Sequence, residues 1–387
     1  MKKYNLLIAH GGAPTAVINA SLYGAIKEAK QHPEIDKVYG AIDGSDGILQ
    51  NNFICLSDIN DEDLEKLLCT PASAIGTSRL PLNSEDYRKM ACNIYNANIR
   101  YVLFNGGNGS MDTCGKLQKE CEPFGINVVG IPKTIDNDIA ITDHSPGFGS
   151  AARFAAQSIY EIAQDIRALP IHVSIVETMG RNAGWITAAT ALARTKPGDA
   201  PHLIYLSEVP FNEEQFLSDV KECYDKYGGV VVAVSEGLHD ENGNSIVSPI
   251  FQSDRGVYFG DISSHLAELV IKKLGIKARS EKPGILGRTS SSCQSPVDRE
   301  EAVLAGKEAA KAAIEGKTGI MIGFKRTSDD PYKISIVHIP ITQVMLHERT
   351  MPPSFISESK NDVTDEFIQW CKPLIGPIQR NFISFKD

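Results

Sequence analysis

The sequence predicts an α/β protein whose parallel sheets are covered by helices on both faces. Short apolar runs bounded by Gly, Asn or Pro alternate with longer helical stretches along the 387 residues. The runs occupy residues 6–9, 38–42, 101–104, 128–131, 173–176 and 230–234. Because buried parallel strands read as continuous apolar segments, this alternation favours βα units.

Composition bounds the size and the partners of the protein. With 42% hydrophobic residues, the chain can build two or three ordinary domains. The net charge of -9, without a run of Lys or Arg, disfavours nucleic acid and anionic membrane as partners. A local basic pocket for a small anion is still compatible with this sum.

Cysteine usage and the N-terminus predict a cytoplasmic protein. The eight cysteines are scattered without a C-x-x-C pair, which predicts reduced thiols and neither a zinc site nor a disulfide framework. The apolar run at residues 6–9 is too short for a signal peptide and is typical of a first buried strand.

The middle of the chain predicts a domain boundary and a long helix. Ile159, Ile162, Ala163 and Ile166 have helical spacing, and the segment 147–150 (Gly147, Phe148, Gly149, Ser150) is expected to form the preceding loop and cap. We place one boundary near 147–150 and a return crossing near 283–288. The expected domains are 1–147 with a return segment at about 285–345, and 148–284 with a C-terminal segment at about 346–387.

Two glycine-rich turns follow predicted strands and open predicted helices. The first is HGGAPTAVINA at residues 10–20, and the second is NGGNGSMDT at 105–113. Glycine lets the backbone approach an anion closely, and a helix N-terminus presents unpaired N–H groups to it. An ordinary βα turn is the alternative for either segment alone. Together they suit an anionic ligand lying across a crevice.

The segment PKTIDND at 132–138 predicts chemistry on an alcohol beside a polyanion. Asp136 is expected to take a proton from the attacking hydroxyl. Thr134 would hydrogen-bond the transferred phosphoryl group, and Lys133 would neutralise the growing charge. The alternative is an Asx-rich loop whose side chains only cap backbone N–H groups.

The second half supplies positive charge that suits a sugar phosphate. Arginine donates paired hydrogen bonds to phosphate oxygens, and a carboxylate can accept from sugar hydroxyls. Each arginine alone is more often a surface residue in a salt bridge. The candidates follow strands or lie near Pro283–Gly284, and they are Met179, Gly180, Arg181, Glu236, Arg279 and Arg288.

These segments in this order resemble the phosphofructokinase family. The match consists of GGAPTAVINA, GGNGS, PKTIDND, GFGSAARF, MGRNAGW, SEG and the Arg279/Arg288 pair, from about Leu6 to Lys333. With KPGDAPHLI and RTSDDPYK, the chain is most similar to a bacterial group whose members generally use pyrophosphate. The resemblance implies two doubly wound parallel-sheet domains with the active site between them, and a homodimer or homotetramer.

The resemblance also implies roles for particular residues. The residue matching Asp136 is the catalytic base, and fructose 6-phosphate is bound by Thr134, Asp136 and the candidates of the second half. Mg²⁺ is expected on Asn108, Asp136 and Asp138, although many relatives have Asp where this chain has Asn108. The donor is expected to contact Gly11, Gly12, Arg79, Gly107, Asn108, Gly109 and Ser110. A usual GGSP-type turn is replaced here by residues 289–294.

The donor is expected to be ATP, with pyrophosphate as the alternative. Pyrophosphate users related to this chain have Asp at the Gly109 position, where its charge and bulk would exclude a nucleotide. Lys133 resembles a lysine that assists pyrophosphate users, yet it suits either donor. A second alternative, motivated by Asn108, is a catalytically silent sugar-phosphate-binding subunit that regulates a partner. The retained Lys133 and Asp136 disfavour it.

Overall fold

The computed structural model describes residues 2–253, 256–345, 347–380 and 382–385. The strands are β1 (Tyr4–His10), β2 (Ile35–Ala41), β3 (Phe53–Cys55), β4 (Ile99–Gly106), β5 (Asn127–Pro132), β6 (Val173–Thr178), β7 (Leu203–Tyr205), β8 (Val230–Ser235), β9 (Pro249–Ser253), β10 (Gly256–Phe259), β11 (Ala278–Glu281), β12 (Ile320–Asp329) and β13 (Tyr332–Pro340).

The α-helices alternate with these strands along the chain. They are α1 (Ile18–Ala29), α2 (Ser45–Gln50), α3 (Asp61–Lys66), α4 (Ser84–Asn96), α5 (Asn108–Cys121), α6 (Phe148–Ala168), α7 (Trp185–Ala189), α8 (Glu213–Tyr227), α9 (Ile262–Leu274), α10 (Leu286–Thr289), α11 (Pro296–Ile314) and α12 (Asp365–Ile375). Within the described ranges, none of the helices has the length and apolar character needed to cross a membrane.

The chain divides into two compact units, each made of two segments. The first unit comprises Met1–Ser150 and Arg288–Arg349, and the second comprises Ala151–Gly287 and Thr350–Asp387. The sequence placed the corresponding changes near 147, 285 and 345. The first helix to pass from one unit to the other is α6, which begins in the first unit and continues into the second.

The first unit is built on a seven-stranded sheet of order β13-β12-β5-β4-β1-β2-β3. Alternate residues of β1 point to opposite faces, as the two-residue period of a strand requires. Leu6 and Ile8 join a core with α1 and α11, whereas Leu7 and Ala9 join a second core with α4 and α5. Helices therefore cover both faces of this sheet, which confirms the predicted doubly wound α/β class.

The edges of this sheet differ from the all-parallel prediction. Strand β3 pairs antiparallel with β2, and β13 pairs antiparallel with β12, while the five inner strands are parallel. An antiparallel edge strand on a parallel sheet is common because a short connection can reverse the chain there. Four of the five inner strands, β1, β2, β4 and β5, coincide with predicted apolar runs, whereas the inner strand β12 and the two edge strands were not predicted.

The second unit has a smaller parallel sheet of order β11-β6-β8-β7. One face packs Val173 and Ile175 of β6 against Phe216 of α8 and Leu266 of α9. Helices α7 and α12 form an aromatic cluster in the same unit, where the Trp185 and Phe367 rings lie 6.4 Å apart. The paired β9 and β10 form a separate two-stranded antiparallel sheet.

The start of α6 corrects one detail of the sequence analysis. Gly149 and Ser150 lie in the first helical turn and do not form a preceding cap. The helix terminus is instead satisfied by Asp298 of α11, whose carboxylate accepts from the backbone N–H groups of Gly147 and Ser150 at 2.8 and 2.9 Å. A cap supplied by a residue so distant in sequence leaves no local signal.

Candidate active site

The turn after β1 lies directly against the start of α5. Gly11 N donates to Asn105 O at 2.8 Å, and Gly12 N donates to Ser78 O at 3.0 Å. A Cβ on Gly11 would lie 2.4 Å from Ser110 Oγ, and Gly12 has a φ of +75°. Both positions therefore require glycine, one for close approach and one for conformation. The predicted donor residues Gly11, Gly12 and Ser110 are brought together.

The second glycine-rich turn forms the N-terminus of α5. Gly107 is the N-cap, and its carbonyl accepts from Ser110 N and Met111 N, each at 2.9 Å. A Cβ on Gly107 would lie 3.4 Å from Lys133 O, so this turn adjoins the PKTIDND segment. A Cβ on Gly109 would meet nothing within 4 Å. Gly109 therefore has room for a side chain in the described structure.

Lys133 is buried at the centre of the predicted residues. Lys133 Nζ donates to Ala13 O at 2.6 Å, and Lys133 is 3% exposed. Burial lowers the pKa of Lys133 to about 8. Lys133 is therefore mostly protonated at neutral pH, and it places a poorly solvated positive charge beside the two glycine-rich turns.

Four more of the predicted residues lie close enough to Lys133 to affect its pKa. The positive charges of Arg79 and Arg288 lower the Lys133 pKa, while the carboxylates of Asp136 and Asp138 oppose this effect. Arg79 is exposed and Arg288 is half-buried. The donor, catalytic and metal candidates of the first unit thus form one cluster around Lys133.

The 133–138 turn presents Asp136 on a rigid backbone. Asp136 is half-buried, and its backbone N–H donates to Thr134 Oγ1 at 3.1 Å. Asn137 adopts a left-handed φ of +53°, and its Oδ1 accepts from Ser145 N at 3.1 Å. Thr134 and Asn137 cap backbone groups in this turn, and the Asp138 carboxylate also accepts from its own backbone N–H.

Asn108 and Asp138 form a pair with oxygen ligands to spare. Asn108 Nδ2 donates to Asp138 Oδ2 at 2.9 Å and to Asp138 O at 3.1 Å. Asn108 Oδ1 and Asp138 Oδ1 are both buried without a hydrogen-bond partner. Burial raises the pKa of Asp138, and the Glu348 carboxylate adds to this rise. Two unpartnered hard oxygens fit Mg²⁺, which is bound in proteins through few carboxylates plus phosphates and water.

A metal site made only of side chains is not found near this pair. Across the described parts of the chain, His, Cys, Asp and Glu form no cluster of three or more that could hold a metal ion.

The second unit brings part of the predicted sugar-phosphate set together. Strands β6 and β8 pair in parallel with Thr178 opposite Ser235, so residues 179–181 and Glu236 emerge at the same sheet edge. Gly180 N donates to Glu236 Oε1 at 3.2 Å. Met179 is half-buried and Arg181 is exposed at this edge. Glu236 is thereby fixed beside the Met-Gly-Arg segment.

The two remaining arginines lie elsewhere. Arg279 is within β11 and pairs with Ser174, four residues before Thr178, which at ~3.3 Å per residue places it roughly 13 Å from that sheet edge. Arg279 therefore lies within its strand and not at the strand ends beside Glu236, and its role in binding the sugar phosphate stays a prediction. Arg288 belongs to the first unit and lies near Lys133. Of the predicted arginines, Arg181 is the one that follows the same strand ends as Glu236.

Sequence reasoning missed a buried charged network beside the 133–138 turn. It contains Asp143, His144, Glu301, Arg326 and Tyr332. The Asp-His pair at 143–144 was visible in the sequence, but Glu301 and Tyr332 are remote from it and carry no motif. Only the fold brings them together.

Comparisons with known proteins agree with this geometry. A family model described as Phosphofructokinase matches residues 5–313. Pyrophosphate–fructose 6-phosphate 1-phosphotransferase of Rhodospirillum rubrum is 38% identical, over 97% of this chain and 95% of the relative. Sulfofructose kinase of Alkalicoccus urumqiensis is 32% identical, over 91% and 92%. The crystal structure of pyrophosphate-dependent phosphofructokinase from Marinobacter aquaeolei matches with a TM-score of 0.89 and 34% identity, covering 100% of this chain and 94% of that one.

Proposed function

The chain belongs to the phosphofructokinase family, a family of phosphotransferases with an alcohol acceptor, and on this premise we propose that it transfers a phosphoryl group from pyrophosphate to the 1-hydroxyl of fructose 6-phosphate. The observation that carries the proposal is the cluster of the first unit. Lys133 lies beside two glycine-rich turns, with Asp136 and Asp138 close enough to affect its charge. The cluster therefore offers a cation and backbone N–H groups to a polyanion, and a carboxylate that can accept a proton.

The reaction uses Asp136 as the base. The Asp136 carboxylate accepts the proton of the sugar 1-hydroxyl while the hydroxyl oxygen attacks phosphorus. The bond from the sugar oxygen to phosphorus forms, the bridging P–O bond of pyrophosphate breaks, and orthophosphate leaves. Thr134 hydrogen-bonds the transferred group. Lys133 stabilises the charge on the leaving phosphate, and its burial strengthens that interaction because little water screens it.

Mg²⁺ would be held through side-chain oxygens of Asn108, Asp136 and Asp138. When bound, the ion neutralises charge on the donor phosphates. The unpartnered Oδ1 atoms of Asn108 and Asp138 support this placement. The chain's own part is to hold these oxygens in place, which the hydrogen bonds from Asn108 to Asp138 accomplish.

The choice of pyrophosphate replaces the ATP-dependent expectation. That expectation rested on Gly109, and the open space there permits a nucleotide without selecting one. The pyrophosphate-using relatives match nearly the whole chain and favour the alternative. Pyrophosphate is a small polyanion, and the cationic groups of Lys133, Arg79 and Arg288 lie near one another. Electrostatics of this kind suit a donor composed only of phosphates.

The acceptor is assigned to residues of the second unit. Arg181 would bind the 6-phosphate, and Glu236, anchored by Gly180 N, would accept from a sugar hydroxyl. The relative named sulfofructose kinase raises a second acceptor, in which a sulfonate replaces the phosphate. Arginine binds either anion, so the acceptor must be tested directly. A silent regulatory subunit is disfavoured because it has no need of a buried lysine beside a proton acceptor.

The test is a comparison of donors and acceptors on purified protein. The values of kcat/KM are measured with magnesium pyrophosphate and with MgATP as donors, and with fructose 6-phosphate and with sulfofructose as acceptors. We expect pyrophosphate to be preferred by at least about tenfold, the equivalent of ~1.4 kcal/mol of transition-state binding. A higher kcat/KM with MgATP would overturn the proposal that pyrophosphate is the donor. A higher kcat/KM with sulfofructose would overturn the proposal that fructose 6-phosphate is the acceptor. Fructose 6-phosphate binding without turnover by either donor would favour the regulatory subunit.

A further inference from the structure

The loop 139–147 follows the 133–138 turn directly, and a hydrogen bond near its end joins it back to that turn. At its start, Arg349 N donates to Asp138 O at 2.7 Å. At its end, Thr134 N donates to Pro146 O at 3.1 Å. The loop thus leaves the turn at one side and returns to it at the other.

The backbone of this loop is strained. Ile141 has a φ of +71°, and Thr142 N donates to Ala140 O at 2.9 Å, which closes a γ-turn around it. A β-branched residue rarely adopts a left-handed φ because its side chain crowds the backbone. Such strain persists only where surrounding contacts over-determine the conformation. The loop therefore requires an element that holds it.

His144 is the buried centre of the contacts that hold the loop. Its side chain is 2% exposed and lies between two carboxylates. Nδ1 lies 2.8 Å from Asp143 Oδ2, and Nε2 lies 2.6 Å from Glu301 Oε2. A neutral imidazole has one N–H group, whereas an ionised carboxylate only accepts. Both contacts are hydrogen bonds only when the ring carries two protons.

Both carboxylates are held by further side chains. Tyr332 Oη donates to Glu301 Oε1 at 2.7 Å, and Arg326 donates to Asp143 Oδ2 at 3.1 Å. Burial by itself would lower the pKa of His144, but the charges and hydrogen bonds of Glu301 and Asp143 outweigh it and raise the value to about 9. His144 is consequently protonated at neutral pH and paired with both side chains.

The residue next to His144 joins the network to the reacting turn. Ser145, which follows His144, donates its N–H to Asn137 Oδ1. Asn137 is the left-handed residue between Asp136 and Asp138. A shift of His144 would move the backbone that holds Asn137, and through it the direction in which Asp136 points.

We propose that His144, held between Asp143 and Glu301, is a positioning residue that fixes the 139–147 loop and thereby orients Asp136. The inference rests on the proposed function, since it gives His144 a part in that reaction. His144 is not expected to contact either substrate. Its loss should therefore reduce kcat and leave both KM values nearly unchanged.

The test compares three variants. His144→Gln removes the imidazolium, and Tyr332→Phe removes only the hydroxyl that supports Glu301. His338→Gln is the control, because His338 is an exposed histidine on β13. We expect His144→Gln to lower kcat by about 10- to 100-fold, as a misplaced reacting group does, with both KM values within about threefold. Tyr332→Phe should show a smaller loss of the same kind, and His338→Gln none.

A second measurement is independent of turnover. In ¹⁵N NMR spectra of the wild type at pH 7.5, both ring nitrogens of His144 should be protonated. A neutral ring would overturn the proposal. It would equally be overturned if folded Tyr332→Phe and His144→Gln kept the wild-type kcat and lost only thermal stability. If His144→Gln does not fold, Tyr332→Phe and the NMR result decide.

The experiments distinguish failure of the His144 proposal from failure of the proposed function. If the wild type and the variants transfer phosphoryl groups equally well, only the role of His144 is excluded. A wild type without transfer activity removes the reaction itself, whatever the state of the ring.

Discussion

Gly11 and Ser110 lie so close that a Cβ atom on Gly11 would come within 2.4 Å of the serine Oγ. This contact joins the turn after β1 to the first turn of α5. The two glycine-rich turns are therefore one structural unit, and a change in either should affect both.

Gly11→Ala should destabilise the protein and weaken donor binding. Overpacking at a rigid contact typically costs about 1 to 3 kcal/mol, and separation of the turns should raise the donor KM. Urea unfolding and donor KM measure the two effects. Gly260→Ala is the control, because Gly260 lies in the second unit and its methyl group would meet no atom closer than 3.8 Å. If both variants have the same unfolding free energy and donor KM, the importance of this contact is refuted. The double variant Gly11→Ala/Ser110→Gly should recover part of the lost stability.

Asp136→Asn should lower kcat at least about a hundredfold, the usual scale for loss of a general base. Fructose 6-phosphate binding, measured by calorimetry, should remain largely intact because the amide keeps the size of the carboxyl group. Asp112→Asn, a change in the carboxylate paired with Lys116 on α5, serves as the control. A near-normal kcat in Asp136→Asn would remove Asp136 from its role.

Arg181→Ala should mainly raise the KM for fructose 6-phosphate. A lost charge-assisted hydrogen bond to phosphate is worth about 1.5 to 3 kcal/mol, or roughly 10- to 150-fold. The donor KM should change much less. Lys221→Ala, which removes an exposed cation of the same unit, should change neither value. If the donor KM rose more than the sugar KM, Arg181 would belong to donor binding.

Gly109→Asp should restrict the donor. The position is open, so the side chain fits, and its charge would repel a nucleotide phosphate. Residual kcat/KM for MgATP should fall at least about tenfold, while that for pyrophosphate falls less. Gly109→Asn separates charge from bulk. An equal loss for both donors, or none for either, would show that this position does not select the donor.

The pH dependence of stability should report the charge on His144. Its pKa is about 9 in the folded protein and 6.5 in the reference state. A raised pKa stabilises fully below pH 6.5, and that stabilisation is lost as pH rises through 9. The loss is on the order of 3 kcal/mol, since one pKa unit corresponds to about 1.4 kcal/mol. Urea unfolding between these limits should show it in the wild type and in His338→Gln but not in His144→Gln.

The sequence predicted four of the five inner strands of the first sheet and the turns that follow β1, β4 and β5, because their signals are local; it missed the inner strand β12. Apolar runs such as 101–104 mark a buried strand, and glycines at 106–107 mark the turn that follows. Since parallel strands end at a common edge, the clustering of Lys133 with both turns followed from the fold class. The edge strands β3 and β13 carried no such signal, and their pairing depends on the rest of the sheet.

Contacts between remote segments could not be predicted in the same way. Asp298 caps α6 from a helix about 150 positions further along the chain, and nothing near it marks that role. The position of Arg279 depends on the register between β11 and β6, which a sequence pattern does not set. Register follows from packing, so the sequence could not show that this arginine lies within β11, and its substrate role stays a prediction.

The division of the first unit into two segments has a consequence for synthesis on the ribosome. Strands β1 to β5 emerge early, but β12, which pairs with β5, and α11, which covers one face of the sheet, emerge only after residues 151–287. Until then the nascent chain exposes the open edge of β5 and the apolar side chains that α11 will cover. Chaperone binding to nascent chains should therefore persist until most of the protein has been translated.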